Sequence, residues 1–462
     1  MTDIVCISPI DGQEVARRPL ASPAHIAFTL RAAHVAQRAW AHVSIAERCT
    51  LVLKFMDAML AMNQEIVPEL ALQMGRPVRF GGEFRGFEER VRYMTMIAED
   101  ALKPVLPADP KPGFKRMIKR TPVGVVLVVA PWNYPYLTAV NTIAPALIAG
   151  NSVILKHASQ TLLVGERFEQ AMKAAGIPEG LFANVVLSHE QTSRLLASGG
   201  VNHVNFTGSV AGGKAIERAA AGTFTTMGLE LGGKDPAYVR ADVKLDHAIE
   251  NLVDGAFYNS GQCCCGIERI YVHEAVYDKF LDGFVNLTRK YVLGNPMDEA
   301  TTLGPMAHTR FADVVRRQTA EALAKGAKAH IDVKAFAANR EGTPYLAPQV
   351  LTHVDHSMSV MKDESFGPVV GIMKVTSDEE AVRLMNDSPY GLTAGIWTSD
   401  LEAAERIGDH VETGTVFMNR CDYLDPALAW TGVKDTGRGA SLSVIGFEML
   451  TRPKSYHLRH AV

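Results

Sequence analysis

The stretch PVGVVLVVAPWNYP, residues 122–135, decides the fold class of this 462-residue chain. Residues 123–130 form a nearly unbroken run of apolar, largely β-branched side chains, and Pro131 ends the run. Such a run is typical of a strand that is buried on both faces. Similar short apolar runs follow at residues 152–156, 181–187 and 201–206. Residues 162–175 between them have a helical pattern, so the sequence predicts βαβ units and a parallel, doubly wound sheet.

A second series of short apolar runs begins after Asp235. Its members are residues 237–239, 270–272, 369–375 and 394–398. Helical segments again separate the runs, which predicts a second α/β unit. The polar, Pro-rich residues 103–121 precede the first sheet and have neither pattern, so they indicate a connecting arm.

Charge and cysteine content narrow the class of protein. The 47 basic and 50 acidic residues give a net charge of −3 without a basic run, which argues against a nucleic-acid partner. The most apolar stretch is too short to cross a membrane, and the N-terminus lacks the pattern of a secretory signal. Six cysteines, three of them consecutive, do not form a disulfide framework in a chain of this length. We therefore expect a cytoplasmic protein without a membrane partner.

The sequence GQCCCG, residues 261–266, is the sharpest chemical motif. A single buried cysteine is most often inert, but flanking glycines allow a tight loop in which a thiolate nucleophile becomes accessible. The alternative is a metal site. Three adjacent residues are not expected to converge on one tetrahedral ion, and the chain has no CxxC or HExxH partner motif. We therefore expect a nucleophile and no metal.

Three further motifs lie at ends of predicted strands. ELGGK (230–234) combines a carboxylate with paired glycines, which alone is more often only a turn at the end of a strand. PWNYP (131–135) places an amide at the carboxyl end of a buried strand, where α/β sheets bind ligands and where it could donate to a developing oxyanion. FTGS (206–209) would begin a helix whose N-terminal N–H groups suit a phosphate, although it is not the GxGxxG pattern.

Together these motifs resemble the aldehyde dehydrogenase superfamily along essentially the whole chain. PWNYP, Lys156, FTGS, ELGGK and GQCCCG occur in the order of that family, followed by ESFGP (364–368) and WTGVK (430–434). The separation of 34 residues between Glu230 and Cys264 is that of general base and nucleophile in its hydrolytic members. The resemblance implies NAD(P)-dependent oxidation of an aldehyde to a carboxylic acid.

The resemblance also assigns the catalytic roles. Counting through Arg269 in the family pattern GQxCxxxxR aligns Cys264, the middle cysteine, with the nucleophile. Asn133 and the backbone N–H of Cys264 would stabilise the oxyanion, and Glu230 would activate the water that hydrolyses the thioester. Some relatives have a lysine and a glutamate that relay the proton of the base. This chain has Thr142 and Gly439 there, so Glu230 would release its proton to water.

The same resemblance implies a set of cofactor-binding residues. They are Pro131, Trp132, Lys156, Ser159, Thr207, Gly208, Ser209, Leu231, Gly232, Glu364 and Phe366. Lys156 corresponds to a lysine that reaches the adenosine ribose, Glu364 would hold the nicotinamide ribose, and Phe366 would pack beside it. NAD-specific members often carry glutamate where this chain has Ser159. Without that negative charge a 2′-phosphate is admissible, so we expect NADP, with or without NAD.

The substrate side is less well defined by the motifs. The position six before the nucleophile is arginine in succinate-semialdehyde-type members and is Tyr258 here. Tyr134 follows the oxyanion asparagine, and Tyr423 lies near the expected mouth of the site. With Cys263 and Cys265 they form the set of candidate substrate residues. An aromatic-lined funnel suits an uncharged aldehyde, whereas Arg420 is the expected partner if the substrate is anionic, although a rim arginine is the more frequent finding.

The resemblance implies a Rossmann-like cofactor domain (residues 1–102 and 122–234), a catalytic α/β domain (235–434) and a β oligomerisation arm (103–121 and 435–462). An arm of this kind extends a neighbour's sheet, which predicts a homodimer or a homotetramer.

Two other functions remain open. One is a CoA-acylating semialdehyde dehydrogenase, against which Glu230 argues. The other is a thiol hydrolase or transferase without a redox step. A non-catalytic binding protein does not fit the complete set of catalytic groups.

Overall fold

The computed structural model describes residues 3–421 and 423–461. Its helices are α1 (Pro23–Trp40), α2 (Ile45–Ala61), α3 (Asn63–Met74), α4 (Phe84–Leu102), α5 (Pro135–Ile148), α6 (Leu162–Ala174), α7 (His189–Ala197), α8 (Val210–Ala220), α9 (Leu245–Phe257), α10 (Tyr277–Thr288), α11 (Thr309–Ala324), α12 (Ser359–Lys362), α13 (Asp378–Asn386), α14 (Leu401–Gly408) and α15 (Ser443–Met449). None of the helices in these ranges combines the length and the apolar character that a membrane span needs.

The strands alternate with these helices, as expected for the α/β class. They are β1 (Asp3–Ile7), β2 (Glu14–Pro19), β3 (Phe114–Pro122), β4 (Val125–Val129), β5 (Ser152–Lys156), β6 (Phe182–Asn184), β7 (His203–Thr207), β8 (Thr226–Glu230), β9 (Asp235–Val239), β10 (Ile267–His273), β11 (Lys328–Ala329), β12 (Gln349–Thr352), β13 (Val369–Val375), β14 (Tyr390–Gly391), β15 (Thr393–Trp397), β16 (Thr415–Met418), β17 (Val433–Lys434), β18 (Gly437–Arg438) and β19 (Thr451–Arg459).

The first sheet contains the stretch that predicted the fold. Its strand order is β18-β8-β7-β4-β5-β6, and β4 pairs in parallel with both β5 and β7. All five residues of β4 are buried, because helices cover both faces of a parallel sheet. The expected strand 181–187 is shorter than predicted: β6 has three residues, and Val185 makes one more bond, from its N–H to the carbonyl of Leu155. The predicted parallel, doubly wound sheet is confirmed.

The second sheet has the order β11-β12-β13-β10-β9-β15-β16 and is parallel except for β11. The four predicted runs correspond to β9, β10, β13 and β15. The sequence did not predict β11, β12 and β16, which have two to four residues and lie toward the two edges of the sheet. Central strands carry long apolar runs because both faces are buried, whereas short edge strands do not.

The polar arm forms a ribbon with the C-terminal segment. β3 and β19 pair antiparallel over nine positions, from Thr451 opposite Pro122 to Arg459 opposite Phe114. Most side chains of β19 are exposed. The short strand β18 instead joins the first sheet, where Gly437 pairs with Glu230. The C-terminal segment therefore contributes both to the ribbon and to the sheet that carries Glu230.

Helices α4 and α5 pack against each other and support the loop of residues 131–135. The N-terminus of α5 follows the PWNYP loop directly, and Pro135 occupies its first turn, where a missing N–H costs nothing. Twelve residues of α5 are buried. A helix that is buried on most of its surface holds the loop before it firmly, and that loop carries Asn133.

Candidate active site

A left-handed turn presents the cysteine cluster at the end of α9. Asn259, Ser260 and Gly261 have φ values of 53°, 58° and 69°. Two consecutive non-glycine residues in this region are uncommon and mark functional turns. A Cβ atom on Gly261 would lie 2.4 Å from the carbonyl oxygen of Gly367, so only glycine fits there. The turn reverses the chain and leaves Cys264 partly exposed, while Cys263 and Cys265 are buried.

The three sulfur atoms of Cys263, Cys264 and Cys265 lie within 4.8 Å of one another. The three adjacent cysteines were not expected to converge on one point, and that expectation is wrong: the sulfurs of Cys263 and Cys265 lie 3.5 Å apart, with that of Cys264 close by. The pKa of the Cys264 thiol is raised above its usual range by its contact with the Cys263 sulfur and by burial. The same sulfur contacts lower the pKa of Cys263, so the three thiols titrate as one group.

Asn133 approaches this cluster from the end of β4. Its Nδ2 donates to the carbonyl of Gln262 at 3.1 Å, which fixes the orientation of the amide and leaves its second N–H available. The Asn133 carbonyl accepts a hydrogen bond from Nδ2 of Asn259 at 3.2 Å. The segment of residues 259–262 that presents Cys264 thus also bonds the side-chain amide and the main-chain carbonyl of Asn133.

Arg76 and Glu83 form a buried ion pair that fixes the same loop, and the sequence analysis did not find them. The Arg76 guanidinium binds one oxygen of Glu83 and donates to the carbonyl of Asn133. The other oxygen of Glu83 accepts the N–H groups of Tyr136 and Leu137 at the start of α5. A carboxylate there satisfies free helix N–H groups and favours the helix dipole. No motif signals this pair, because the main-chain groups that it binds, in residues 133–137, are distant in sequence from both Arg76 and Glu83.

Glu230 ends β8 and is nearly enclosed. Oε1 has no hydrogen-bond partner among the described residues, and Oε2 accepts a 3.4 Å bond from the hydroxyl of Thr207. Burial raises the pKa of Glu230, against the effects of the Ser441 hydroxyl, the Arg90 guanidinium and the Thr207 hydroxyl. A carboxylate with a raised pKa takes up a proton closer to neutral pH, as a general base must.

One cavity of about 530 Å³ is lined by all eleven residues predicted for the cofactor. Cys264 and Glu230 line its inner end. The cavity lies at the carboxyl ends of β4, β5 and β7, where open parallel sheets bind their ligands. Ser209 caps α8 by accepting the N–H of Gly212, so this helix directs free N–H groups and the positive end of its dipole toward the cavity.

The region around Glu364 fits a ribose diol. Burial and the neighbouring Glu268 raise the pKa of Glu364 to about 7. Its Oε1 accepts the N–H of Gly233 at 3.0 Å, and a Cβ on Gly232 would come within 2.4 Å of its Oε2. Glycine therefore lets the carboxylate lie against the backbone. A carboxylate with remaining acceptor capacity suits the two hydroxyls of a nucleotide ribose.

Aromatic rings form one wall of this cavity. Trp132 stacks on Phe311 with ring centroids 5.2 Å apart, and Phe366 meets Trp132 edge-on at 5.6 Å. Glu268 holds the loop of Phe366 by accepting its N–H and that of Ser365. Phe311 lies in α11 and was not predicted, because a single aromatic residue in a helix is usually part of the core.

Lys156 and Ser159 lie at the opposite end of the wall. Lys156 ends β5 and is buried, and burial lowers the pKa of its amine to about 8. Ser159 begins the short turn after it and carries no charge. The donor set of the cavity, a lysine, a helix N-terminus and a carboxylate, matches a dinucleotide.

A second, smaller cavity of about 120 Å³ shares Cys264 and Glu230 with the first. Tyr134, Tyr258, Cys263 and Cys265 line it, as the sequence predicted for the substrate. Tyr423 is not among the residues that line it. Its hydroxyl donates to Glu89, and the Arg420 guanidinium lies 3.9 Å above its ring. Among the described residues, Arg90 is the one cation in the lining, and the sequence analysis did not find it.

Comparison with known proteins agrees with this geometry. The model of the aldehyde dehydrogenase family matches residues 1–456. The succinate-semialdehyde dehydrogenase (NADP(+)) of Deinococcus radiodurans is 30% identical over 449 residues, 97% of this chain and 93% of that protein. The 3-sulfolactaldehyde dehydrogenase of Priestia megaterium is 34% identical over 417 residues, 88% of this chain and 85% of that protein.

Solved structures are similar over the same length. The crystal structure of aldehyde dehydrogenase from Brucella melitensis biovar abortus 2308 has a TM-score of 0.95 and 28% identity, and the match covers 100% of this chain and 95% of that chain. Fold, motif order and the family match all lead to one conclusion. This chain belongs to the aldehyde dehydrogenase family of oxidoreductases, which act on aldehydes with NAD(P).

Proposed function

We propose that this protein oxidises a small aldehyde to a carboxylic acid through a thioester on Cys264, which is hydrolysed by water that Glu230 activates. One observation carries the proposal. Cys264 and Glu230 line both cavities, so a nucleophile and a base lie between the space that fits a dinucleotide and a smaller space that fits a substrate.

The first half of the reaction is addition and oxidation. The Cys264 thiol gives its proton to water, and the resulting thiolate forms a bond to the aldehyde carbon, whose carbonyl oxygen becomes an oxyanion. The free N–H of the Asn133 amide and the N–H of Cys264 stabilise that charge, and a preorganised donor of this kind contributes about 10²–10³ in rate. The nicotinamide of bound NAD(P)+ supplies the acceptor for the hydride that leaves the carbon. The carbonyl re-forms as a thioester.

Hydrolysis is the second half of the reaction. Glu230 takes a proton from water, whose oxygen attacks the thioester carbon, and the Cys264 thiolate leaves as the acid forms. The raised pKa of Glu230 suits this transfer. Thr142 and Gly439 supply no relay group, so the proton of Glu230 passes to solvent water.

We further propose that the cofactor is NADP+, with or without NAD+. Ser159 places no carboxylate near the adenosine ribose, and Lys156 supplies a positive charge for a 2′-phosphate. A kcat/KM for NAD+ more than about tenfold above that for NADP+ would contradict this preference, since tenfold corresponds to about 1.4 kcal/mol. The ribbon of β3 and β19 supports a homodimer or homotetramer, which a sedimentation measurement tests.

The experiment is a panel of aldehydes assayed with NAD+ and with NADP+, read at the absorbance of the reduced cofactor. Cys264→Ser is expected to lower kcat/KM by at least about 10³-fold, because a serine hydroxyl is far less acidic and a weaker nucleophile than a cysteine thiol. Cys263→Ser is the matched control and is expected to remain within about tenfold of the wild type, because the buried Cys263 does not attack the substrate.

Two results would replace this proposal. Product formation that requires CoA would indicate an acylating enzyme, and thioester cleavage without reduction of NAD(P)+ would indicate a hydrolase. The second candidate within the proposal is a semialdehyde dehydrogenase. The observation that favours it is Arg90 in the smaller cavity.

A further inference from the structure

Arg90 is a nearly enclosed cation whose charge is not paired. It lies in α4 with 7% of its surface exposed and lines the smaller cavity together with Cys264 and Glu230. Within the described part of the chain it has no carboxylate partner at ion-pair distance. Its Nη1 donates to the carbonyl of Leu137 and to Oδ1 of Asn141, both at 3.0 Å, and its Nε has no acceptor.

Other buried arginines near the site are satisfied. Arg76 has the carboxylate of Glu83 and the Asn133 carbonyl. Arg269 donates from Nε, Nη1 and Nη2 to main-chain carbonyls, among them that of Lys234. Arg48 also has an unpartnered Nε, but it lines neither of the two cavities of the site. Arg90 is therefore the unsatisfied guanidinium that borders the reaction space.

A desolvated cation without a partner is unfavourable, and a bound anion offsets that cost. Burial lowers the pKa of Arg90, although the nearby Glu83, Cys265 and Glu230 act in the opposite direction, so the cost of burying this charge is only partly compensated. The guanidinium presents fixed N–H donors that match a carboxylate or another oxyanion with two acceptor oxygens. Leu137 and Asn141 lie one turn apart on α5, so this helix binds Nη1 of the guanidinium. The other N–H donors of Arg90 remain for a ligand.

We propose that Arg90 anchors an anionic group at the far end of the substrate, so that the preferred substrates are small aldehydes bearing a carboxylate or a similar oxyanion. The inference rests on the proposed function, because the aldehyde carbon must reach Cys264. It replaces the expectation of an uncharged substrate, which followed from Tyr258 without knowledge of Arg90. A substrate bound this way extends from Cys264 along the α5 face that carries Tyr134, Thr138 and Asn141.

The test compares two aldehydes with the same four-carbon backbone, 4-oxobutanoate and its uncharged methyl ester. The wild type is expected to have a kcat/KM for 4-oxobutanoate at least about 100-fold above that for the ester, the size expected for a lost charge-assisted bond. Arg90→Met is expected to abolish that ratio. The ratio isolates the anion, because any effect of Arg90 on Glu230 acts on both substrates.

Two variants keep the experiment decisive. Arg90→Lys retains the charge without the fork and is expected to show an intermediate ratio, even if Arg90→Met does not fold. Arg92→Met removes an exposed arginine of the same helix, paired with Glu88, and is expected to leave the ratio unchanged. A sulfonated aldehyde in place of 4-oxobutanoate distinguishes a carboxylate site from a general oxyanion site.

Binding separates this inference from the proposed function. Succinate, added without cofactor, is expected to raise the melting temperature of the wild type and not that of Arg90→Met. If no aldehyde is oxidised but succinate still binds through Arg90, the proposed function is wrong and the anion site stands. If aldehydes are oxidised with equal ratios in wild type and Arg90→Met, or if both substrates lose activity equally, the inference is wrong.

Discussion

The two cavities that meet at Cys264 are built in different ways. The larger cavity, which we propose for the cofactor, is formed at strand ends by motifs whose residues are adjacent in sequence, such as Phe206 to Ser209 after β7. The substrate cavity is formed by side chains from α4, from α5 and from two distant loops. One wall therefore follows from short motifs, and the other depends on how helices pack.

The two cavities also differ in how many of their polar groups have a hydrogen-bond partner. On the cofactor side, Glu364 has a main-chain donor and Phe366 is held by Glu268. On the substrate side, one oxygen of Glu230 and one nitrogen of Arg90 have no partner among the described residues. Unsatisfied groups are costly to keep, so they mark the places where substrate and water are expected to act.

The largest effect is expected from a substitution that displaces the proposed oxyanion donor, Asn133, at a residue that lines neither cavity. Arg76→Lys keeps a charge beside Glu83 but loses the fork that also binds the Asn133 carbonyl. We expect kcat to fall by about 100-fold, the effect of a displacement near 1 Å, with the KM for cofactor unchanged. Steady-state kinetics measure both.

Arg76 acts through Asn133, so the two effects should not add. In an Asn133→Ala background, Arg76→Lys is expected to cause little further loss of kcat. Arg79→Lys, at an exposed neighbouring arginine, is the control and is expected to behave as the wild type. Additive losses would show that Arg76 supports the fold and does not position the amide.

The cofactor side is tested by Ser159→Glu. A carboxylate at this position repels a 2′-phosphate and accepts bonds from both ribose hydroxyls. We expect the ratio of kcat/KM for NADP+ to that for NAD+ to fall by at least about tenfold, with no change in the preference among aldehydes. Ser159→Gln, which adds size without charge, separates electrostatics from crowding. An unchanged ratio would place the adenosine ribose elsewhere.

A smaller effect is expected from pH. The pKa of Glu364 is raised to about 7, so its carboxylate is protonated below that pH and accepts fewer bonds from a ribose. We expect the KM for the cofactor to rise about three- to tenfold as the pH falls from about 8 to about 6. Glu364→Gln is expected to flatten this dependence. The same profile in both proteins would assign the titration to another group.

The sequence was sufficient for the parts of the molecule that short patterns encode. Buried parallel strands such as β4 give long apolar runs, and the motif that contains Cys264 gives its register through Arg269. The edge strand β16 and the ion pair of Arg76 with Glu83 leave no such trace. In the sequence, Arg90 cannot be told from any other charged residue of an amphipathic helix. Only the packing of α4 on α5 brings it to the smaller cavity.

The contrast between the cavities also concerns the thiols. Their convergence could not be predicted from residue spacing, because it depends on the left-handed turn at Asn259 and Ser260. That turn is stabilised by contacts with residues far away in sequence, including the hydrogen bond from the Ser260 hydroxyl to the Gly304 carbonyl. Local sequence therefore locates the cysteine cluster but does not predict how its side chains are arranged.

The central claim is that Cys264 forms a thioester and that Glu230 hydrolyses it. Rapid mixing of Glu230→Gln with aldehyde and NAD(P)+ tests it, followed by intact-mass measurement of the quenched protein. The account predicts a burst of one reduced cofactor per active site, an acyl adduct on Cys264, and steady-state turnover lowered by about 10²–10⁴-fold. Full steady-state turnover of Glu230→Gln, with no adduct on Cys264, would contradict it.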